Sequence, residues 1–238
     1  MKVLLATVTI ALMVLGTLAS RSCAQTDYSV FPQEKIIYTI KKFGMSAGQA
    51  TLVYHGLIEE QGKALIKIVF TSDGFNFYDQ EIIYADPGTL LPVRVERDLN
   101  IFGNKERIVE NYYPQDHKVD IIKYKEEKVV DTVTFHNDQP IDNLYCFIYR
   151  YRSGGVFESG ERFKMNLPTK TVALEIVKKT TITVAREKRE AWLMQSDPKE
   201  YNVWFGADEQ HTPLRIEGAA GLAKTVMIFE KHEIGKIQ

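Results

Sequence analysis

One stretch of the sequence has the residue types and spacing of a hydrolase nucleophile. It is the run Gly44-Met45-Ser46-Ala47-Gly48, which matches the Gly-x-Ser-x-Gly nucleophile elbow. That elbow sets its serine between a strand and a helix, so that the helix N-terminus helps to stabilise an oxyanion. Here residues 49–54 alternate apolar and polar side chains, which predicts a strand in place of the helix. We therefore interpret Gly44 and Gly48 as hairpin glycines and Ser46 as a turn residue.

The five histidines are scattered along the chain and form no metal-ligand pattern. None has a His-x-x-x-His or Cys/His spacing, so we expect neither a metal site nor a cofactor. His136 and Asp138, with Asp142 nearby, form the densest group of acid–base side chains. A polar loop that leads into a helix cap explains these three residues more simply than catalysis does. We assign no catalytic residue, and the sequence favours a protein that is not an enzyme.

Aromatic side chains form two groups that are suited to line an apolar cavity. Phe75, Phe77 and Tyr78 are close together in the sequence, and Trp204 and Phe205 end a later strand. On the concave face of a curled sheet, such residues line a binding cavity. Ordinary packing in a hydrophobic core is the alternative. These five residues are the candidate ligand-lining residues.

A hairpin unit that occurs twice shows which elements carry these residues. Each copy has an aromatic strand end, an Ala-Asp turn, and a return of Pro, apolar, Arg, apolar, Glu at residues 92–96 and 213–217. Asp and Pro favour a turn, and Pro is tolerated where a strand begins. The alternation that follows puts the apolar side chains on one face. Turn-flanked strands resemble each other readily, so chance and duplication are both open at this point.

Short alternating segments separated by turns continue along most of the chain. The 12 Tyr and 12 Phe residues favour strands, and turn signals recur about every ten residues. One stretch, near residues 142–153, has helical spacing, with Asp142 as its cap and Gly154-Gly155 as its end. We predict an all-β fold, an antiparallel meander that forms a strongly curled sheet, half-barrel or barrel, with one short helix near residues 142–153.

The N-terminus has the pattern of an export signal. Lys2 is followed by an apolar or small run over residues 3–19, and then by small residues at Ser22 and Ala24. This predicts a signal peptide over residues 1–24 with cleavage after Ala24, and a mature protein in the periplasm. An uncleaved membrane anchor and a lipoprotein signal are the alternatives. No later stretch is long and apolar enough to span a bilayer, so we expect no transmembrane segment after cleavage.

The composition describes a globular chain. Its 238 residues, with 45% hydrophobic and 11% aromatic content, exclude a disordered protein. The net charge of −1 gives no electrostatic case for nucleic acid. We predict one β-rich domain over residues 28–236, with similar halves at about 34–136 and 160–232 joined by the helix. Cys146 has apolar neighbours and would be the one cysteine left after cleavage, so we expect a buried, inert thiol.

Several stretches together carry a family resemblance. They are residues 38–44 with Gly48, Ala50 and Leu52; Asp142, Leu144, Arg150 and Arg152; Gly160-Glu161; Trp204, Phe205 and Asp208; Pro213-Leu214-Arg215-Ile216; and Gly221-Leu222. In these the chain resembles a bacterial periplasmic family known as domain of unknown function 3108. The resemblance implies an exported, β-rich envelope protein and brings no catalytic residues with it. More distantly, the expected fold is similar to the half-barrels of lipoprotein carriers, which hold acyl chains.

The sequence favours a non-catalytic exported envelope protein. Its concave sheet is expected to bind an apolar or amphipathic envelope molecule, a lipid or an envelope polymer. One alternative is an envelope hydrolase that uses Ser46 or the pair His136 and Asp138. Another is a structural or assembly subunit that pairs with an envelope protein through a sheet edge.

Overall fold

The computed structural model describes residues 28, 32–42, 44–218 and 225–235, and the expected signal peptide lies outside them. Within these residues, fourteen strands form a single antiparallel sheet, accompanied by one α-helix. The elements are β1 (Glu34–Lys42), β2 (Met45–Glu60), β3 (Lys63–Gly74), β4 (Phe77–Ala85), β5 (Pro92–Ile101), β6 (Asn104–Tyr113), β7 (Lys118–Lys125), β8 (Lys128–His136), α1 (Leu144–Gly154), β9 (Arg162–Leu167), β10 (Lys170–Val184), β11 (Glu187–Asp197), β12 (Asn202–Gly206), β13 (Pro213–Glu217) and β14 (Val226–Ile234).

The sheet consists of two meanders that lie side by side, so that the first and the last strands of the chain are neighbours in its middle. From β1 out to β8, and from β9 in to β14, neighbours in sequence are neighbours in the sheet, and β1 pairs with β14. The two edge strands are β8 and β9, and α1 connects them in the sequence. The predicted fold class is therefore confirmed as an open, curled half-barrel with one helix.

Alternation along the strands gives the sheet an apolar inner face. In β1 the residues Glu34, Ile36, Tyr38 and Ile40 are buried and the residues between them are half-buried. The same period of two buries alternate residues of β3 from Ile66 to Ser72. Successive side chains of a strand point to opposite faces of the sheet, so each strand contributes every second side chain to the core.

The helix α1 packs against the inner face of the sheet. Aromatic rings of the helix stack on it, for example Tyr145 on Phe70 with ring centroids 4.5 Å apart. The side chains buried in α1 are those of Tyr145, Cys146, Phe147, Ile148, Tyr149, Tyr151 and Arg152. A helix buried on most sides lies inside a core. Within the described ranges, no helix is both long and apolar enough to cross a bilayer.

The helix begins one residue later than the sequence predicted. The N-cap is Asn143, whose side chain accepts a hydrogen bond from the backbone N–H of Tyr145 at 2.9 Å. The prediction of Asp142 as the cap was wrong, because its carboxylate instead pairs with Arg150. At the other end Gly155 donates to Tyr151 O at 2.8 Å. A Cβ on Gly155 would lie only 2.6 Å from that oxygen, so the close approach requires glycine.

The two ends of the half-barrel differ. We call the end with the turns at residues 85–92 and 206–213 the helix end, because arginines of α1 contact both of these turns. The opposite end, where Lys42 of β1 pairs with Met45 of β2, carries the turns at residues 74–77 and 101–104, and we call it the mouth.

Candidate functional site

The repeated hairpins seen in the sequence have the same geometry at the helix end. Each has a β-bulge at the last residues of its first strand. In each, an aromatic residue pairs with the arginine of the return, and the next residue pairs with the proline. These pairs are Tyr84 with Arg94, Ala85 with Pro92, Trp204 with Arg215, and Phe205 with Pro213.

The turns of these hairpins are built on their aspartates. Asp86 accepts hydrogen bonds from the backbone N–H groups two and three residues on, at 3.0 and 2.8 Å, and Asp208 does the same at 3.2 and 3.1 Å. Two residues before the proline, Leu90 and His211 take positive φ values of 53° and 45°. These Asx turns fix where the backbone carbonyls of the two loops point.

Two arginines of α1 hold these two turns. Arg150 Nη1 donates to the carbonyl oxygen of Leu90 at 3.2 Å, and Arg152 Nε donates to that of Gln210 at 3.2 Å. Each arginine also forms an ion pair, Arg150 with Asp142 and Arg152 with Glu34. The guanidinium group has five donors in a planar fork, so it can bind a carboxylate and a carbonyl together. The helix is thereby fixed to both halves of the sheet.

Glu34 is the centre of a buried charge cluster at the helix end. Its side chain is 2% exposed and that of Arg152 is 1% exposed, and His232 Nε2 lies 2.6 Å from Glu34 Oε2. Burial alone would raise the pKa of Glu34, but hydrogen bonds from His232 and Arg152 and their charges lower it to about 2. Because the folded pKa lies below the usual 4.5, this stabilisation is present above about pH 4.5 and is lost as the pH falls toward 2. The contacts of Glu34 with Arg152 and His232 hold β1, α1 and β14 together.

A cavity of about 410 Å³ opens on the inner face at the mouth. Strands β1 to β5 line it, mostly with apolar side chains such as Ile40, Ala47, Phe77, Leu99 and Ile101. This volume lies within the range of small-molecule binding sites, roughly 300–1,000 Å³. A concave apolar surface of this size can bury an apolar ligand or the apolar part of an amphipathic one.

Glycines shape the wall of this cavity. Gly48 and Gly74 lie opposite each other on β2 and β3, at inner-face positions. A Cβ on Gly48 would lie 2.2 Å from the backbone oxygen of Asp73, and one on Gly74 would lie 2.2 Å from the ring of Phe77. The two strands therefore approach closely near the mouth, and the Phe77 ring lies directly over Gly74.

An ion pair contributes polar groups to the mostly apolar wall of the cavity. Arg97 binds Asp79 through two hydrogen bonds, Nε to Oδ1 at 2.8 Å and Nη2 to Oδ2 at 2.5 Å, and both residues line the cavity. Arg97 Nε also lies 3.4 Å from Glu81 Oε1. This bidentate arrangement holds both groups rigidly and can orient the polar part of a ligand.

Glu81, which lies next to this ion pair, has a raised pKa. Burial raises its pKa to about 7, with an opposing effect from the Arg97 charge and a further rise from the negative charges of Asp79 and Glu110. Burial also raises the pKa of Glu110, against a hydrogen bond that it accepts from Tyr112. Asp79 and Glu81 thus lie within ion-pair distance of the same guanidinium, that of Arg97, whose charge also lowers the pKa of Glu110 against the effect of burial.

Replacing Glu81 by Gln is expected to increase the free energy of unfolding by about 2 kcal/mol at about pH 8 and to change it little at about pH 5. The folded pKa of about 7 lies above the ordinary 4.5, so ionised Glu81 destabilises the fold above pH 7. That destabilisation disappears as the pH falls to 4.5, the ordinary pKa of a glutamate. Urea denaturation followed by circular dichroism at both pH values measures the effect.

The control for this prediction is Glu106→Gln, which removes an exposed carboxylate from β6. It should change the stability by less than about 0.5 kcal/mol at either pH. An equal effect of Glu81→Gln at both pH values would contradict the assignment of the raised pKa to Glu81.

The candidate ligand-lining residues fall into two places. Phe75, Phe77 and Tyr78 line the cavity at the mouth. Phe205 is fully buried at the helix end, where its ring lies 5.9 Å from that of Tyr151. Trp204 carries the guanidinium of Arg215 over its ring at 5.0 Å. The structure therefore brings the first three residues together and separates the other two from them.

The residues of the hydrolase alternative lie in ordinary strand and loop positions. Ser46 is an exposed residue of β2 opposite Lys41, and β2 continues to Glu60 without a helix. His136 ends β8 opposite Lys118, and Asp138 is exposed in the segment after β8. In the described ranges, no group of three or more His, Cys, Asp or Glu side chains is arranged to hold a metal ion. Cys146 is fully buried, and burial raises the pKa of its thiol.

Sequence reasoning did not single out the charged residues Glu34, Asp79, Glu81 and Arg97. Glu34 is in phase with the buried row of β1, and Asp79 and Glu81 are in phase with Ile83 of β4. Arg97 is likewise in phase with Val95 of β5. Charges at inner-face positions of alternating strands were the signal that was available.

One solved structure of similar shape is the crystal structure of a β-barrel-like protein of domain of unknown function DUF1849 from Brucella abortus. It shares 10% sequence identity, covers 87% of this chain and 99% of its own, and has a TM-score of 0.47. No curated protein matches the sequence.

The sequence match to a family covers most of the chain. Residues 35–224 match the family described as protein of unknown function DUF3108. The matched range contains the repeated hairpins, α1 with Arg150 and Arg152, and most of the cavity wall. The resemblance noted in the sequence is confirmed, and the chain belongs to the DUF3108 family.

Proposed function

We propose that this protein is exported to the periplasm and there binds the apolar part of an envelope lipid in the cavity at the mouth, without catalysing a reaction. The observation that carries the proposal is the cavity itself, about 410 Å³ of mostly apolar surface on the inner face of the sheet. Apolar cavities with a few fixed polar groups are typical of small-molecule binding sites.

The charges near the cavity support an amphipathic ligand. Asp79 and Arg97 form a rigid ion pair on a wall that is otherwise mainly apolar. A ligand with one polar group and an apolar chain matches this distribution, because the polar group can hydrogen-bond to the ion pair while the chain covers Leu99 and Ile101.

Export is supported by the leader pattern at residues 1–24, a basic start, an apolar run and small residues before the expected cleavage site. An envelope location would give the cavity access to lipids. The assembly alternative is supported by the edge strand β8, where Val129, Val130 and Val133 are exposed. Lys128 and Asp131 on the same strand are charges that discourage edge pairing, so we favour lipid binding.

The test uses protein purified from the periplasm, with its N-terminus established by mass spectrometry. Native mass spectrometry with lipid extraction should find co-purified lipid, and a fluorescent fatty acid should bind. Leu99→Trp, which fills the cavity from β5, should weaken binding of this probe at least about tenfold, an effect of about 1.4 kcal/mol.

The control is Val130→Trp, which adds the same side chain to the exposed edge strand and should change the affinity less than about twofold. Circular dichroism and thermal denaturation establish that both variants are folded. Wild-type protein without lipid or probe binding would refute the proposed function. Unchanged affinity in folded Leu99→Trp would show that the ligand binds elsewhere.

A further inference from the structure

Large apolar side chains are exposed around the mouth. Phe75 is 86% exposed, Phe102 is 75% exposed and Met45 is 69% exposed. Phe75 and Phe102 belong to the turns at residues 74–77 and 101–104, and Met45 begins β2 at the same end of the sheet. Phe75 and Phe102 also line the opening of the cavity. The exposed apolar groups and the opening therefore face the same side of the molecule.

The backbone of one of these turns is unfavourable for the residue that occupies it. Phe102 and Gly103 form a two-residue hairpin loop with φ values of 51° and 85°. Such loops prefer Asn, Asp or Gly, and a bulky residue with positive φ is an outlier. The ring of Phe102 gains little burial in return, because it is mostly exposed. A strained backbone and an exposed ring at one position point to a role outside the folding of the chain.

A backbone contact couples the two aromatic turns. The N–H of Phe102 donates to the carbonyl oxygen of Asn76 at 2.8 Å. Asn76, which follows Phe75, itself has a positive φ of 61°. The tips that carry Phe75 and Phe102 are therefore held side by side.

We propose that Phe75 and Phe102, assisted by Met45, insert into the interfacial layer of a lipid bilayer and dock the mouth on the membrane surface. Aromatic side chains favour this layer, where apolar rings leave water without crossing the hydrocarbon core. The proposal rests on the proposed function for its purpose, since docking in this orientation lets a lipid pass between bilayer and cavity without entering water. Membrane binding is nevertheless measurable independently of cavity binding.

The charges around the tips favour apolar insertion as the main attraction. Lys42 and Lys105 lie beside the turns and attract anionic headgroups, while Asp73 and Glu106 offset part of this charge. The aromatic side chains project from separate turns around an opening, and this arrangement suits insertion among lipids better than a flat protein interface. We therefore expect binding that depends on the aromatic rings and only weakly on salt.

The experiment is flotation with vesicles of phosphatidylethanolamine and phosphatidylglycerol, using protein purified from the periplasm. The double variant Phe75→Ser with Phe102→Asn should bind vesicles at least about tenfold more weakly than wild type. Asn suits a left-handed loop position, so this variant should melt at the wild-type temperature or above it.

The matched control is Val156→Ser with Ile234→Ser. These side chains are 48% and 54% exposed. Ile234 pairs with Glu34, and the carbonyl oxygen of Val156 accepts a hydrogen bond from Tyr151 of α1, so both residues lie toward the helix end and away from the mouth. The control should bind vesicles within about twofold of wild type. Wild-type protein that does not float, or a double variant that floats equally well, would overturn the proposal. A large loss of wild-type binding at high salt would overturn apolar insertion as its cause.

Two further outcomes separate docking from ligand binding. Leu99→Trp protein that floats normally but does not bind the fatty-acid probe would support both the docking surface and a distinct cavity site. Wild-type protein that binds the probe but not vesicles would overturn docking and leave the proposed function intact.

Discussion

Replacing Arg152 by Met is expected to lower the free energy of unfolding by about 3–5 kcal/mol. Arg152 and Glu34 are almost completely buried, and Arg152 also donates to the carbonyl oxygen of Gln210. Met fills a similar volume but leaves the Glu34 carboxylate without its guanidinium partner and the carbonyl without that donor. Breaking a buried ion pair on one side is costly because the remaining charge is held away from water, and the contact with His232 offsets it only in part. Urea denaturation followed by circular dichroism at neutral pH measures the loss.

Two further variants show whether the buried charge is the cause. Arg162→Met removes an arginine whose side chain is 76% exposed and paired with Glu175, and it should change the stability by less than about 1 kcal/mol. The double variant Arg152→Met with Glu34→Gln should be more stable than Arg152→Met alone, because a neutral amide then replaces the buried carboxylate that lost its guanidinium partner. If Arg152→Met lowers the free energy of unfolding by less than about 1 kcal/mol, or the double variant shows no recovery, the ion pair does not hold the helix to the sheet.

The sheet could be predicted from the sequence because alternation is local. In β1, Ile36, Tyr38 and Ile40 repeat with a period of two, and this pattern alone defines a strand and its buried face. Glu34 has the same phase, but a polar residue at the end of an alternating run looks like the end of the strand. Its role depends on Arg152, 118 positions away, and His232, 198 positions away. Only the pairing of β1 with β14 and the path of α1 bring these groups together.

The sequence is similarly limited in what it predicts about the aromatic residues, because it does not show which of them line the cavity. Phe77 and Phe205 are both phenylalanines close to a turn, since Phe77 is the first residue of β4 and Phe205 is the residue before the last of β12. Phe205 lies at the helix end, where the rings of Tyr151 and Phe157 cover it, whereas Phe77 lies at the mouth and lines the cavity. Local spacing predicts that such residues face inward. Whether they pack or line a cavity depends on where the helix lies, which is a property of the whole fold.

Gly48→Ala is expected to lower the free energy of unfolding by about 3 kcal/mol, although it adds one methyl group. The new Cβ would lie 2.2 Å from the backbone oxygen of Asp73 and 2.8 Å from the Cα of Gly74. Both contacts are with backbone, so no side-chain rotation relieves them. The strands β2 and β3 would have to separate near the mouth, with the loss of hydrogen bonds between them. Urea denaturation measures this loss, and fatty-acid binding should weaken with it because Gly48 lies beside the cavity wall.

Two controls relate this prediction to the Gly-x-Ser-x-Gly motif. Gly62→Ala, at a turn with φ of 73° and no atom within 4 Å of the new Cβ, should cost only about 1 kcal/mol, which separates backbone strain from collision. Ser46→Ala, at an exposed position of β2, should change the stability by less than about 0.5 kcal/mol. On this account, the close approach of β2 and β3 requires glycine at position 48, and Ser46 is not needed for the fold. A stable Gly48→Ala protein, together with labelling by a fluorophosphonate that Ser46→Ala abolishes, would contradict this account and favour the hydrolase alternative.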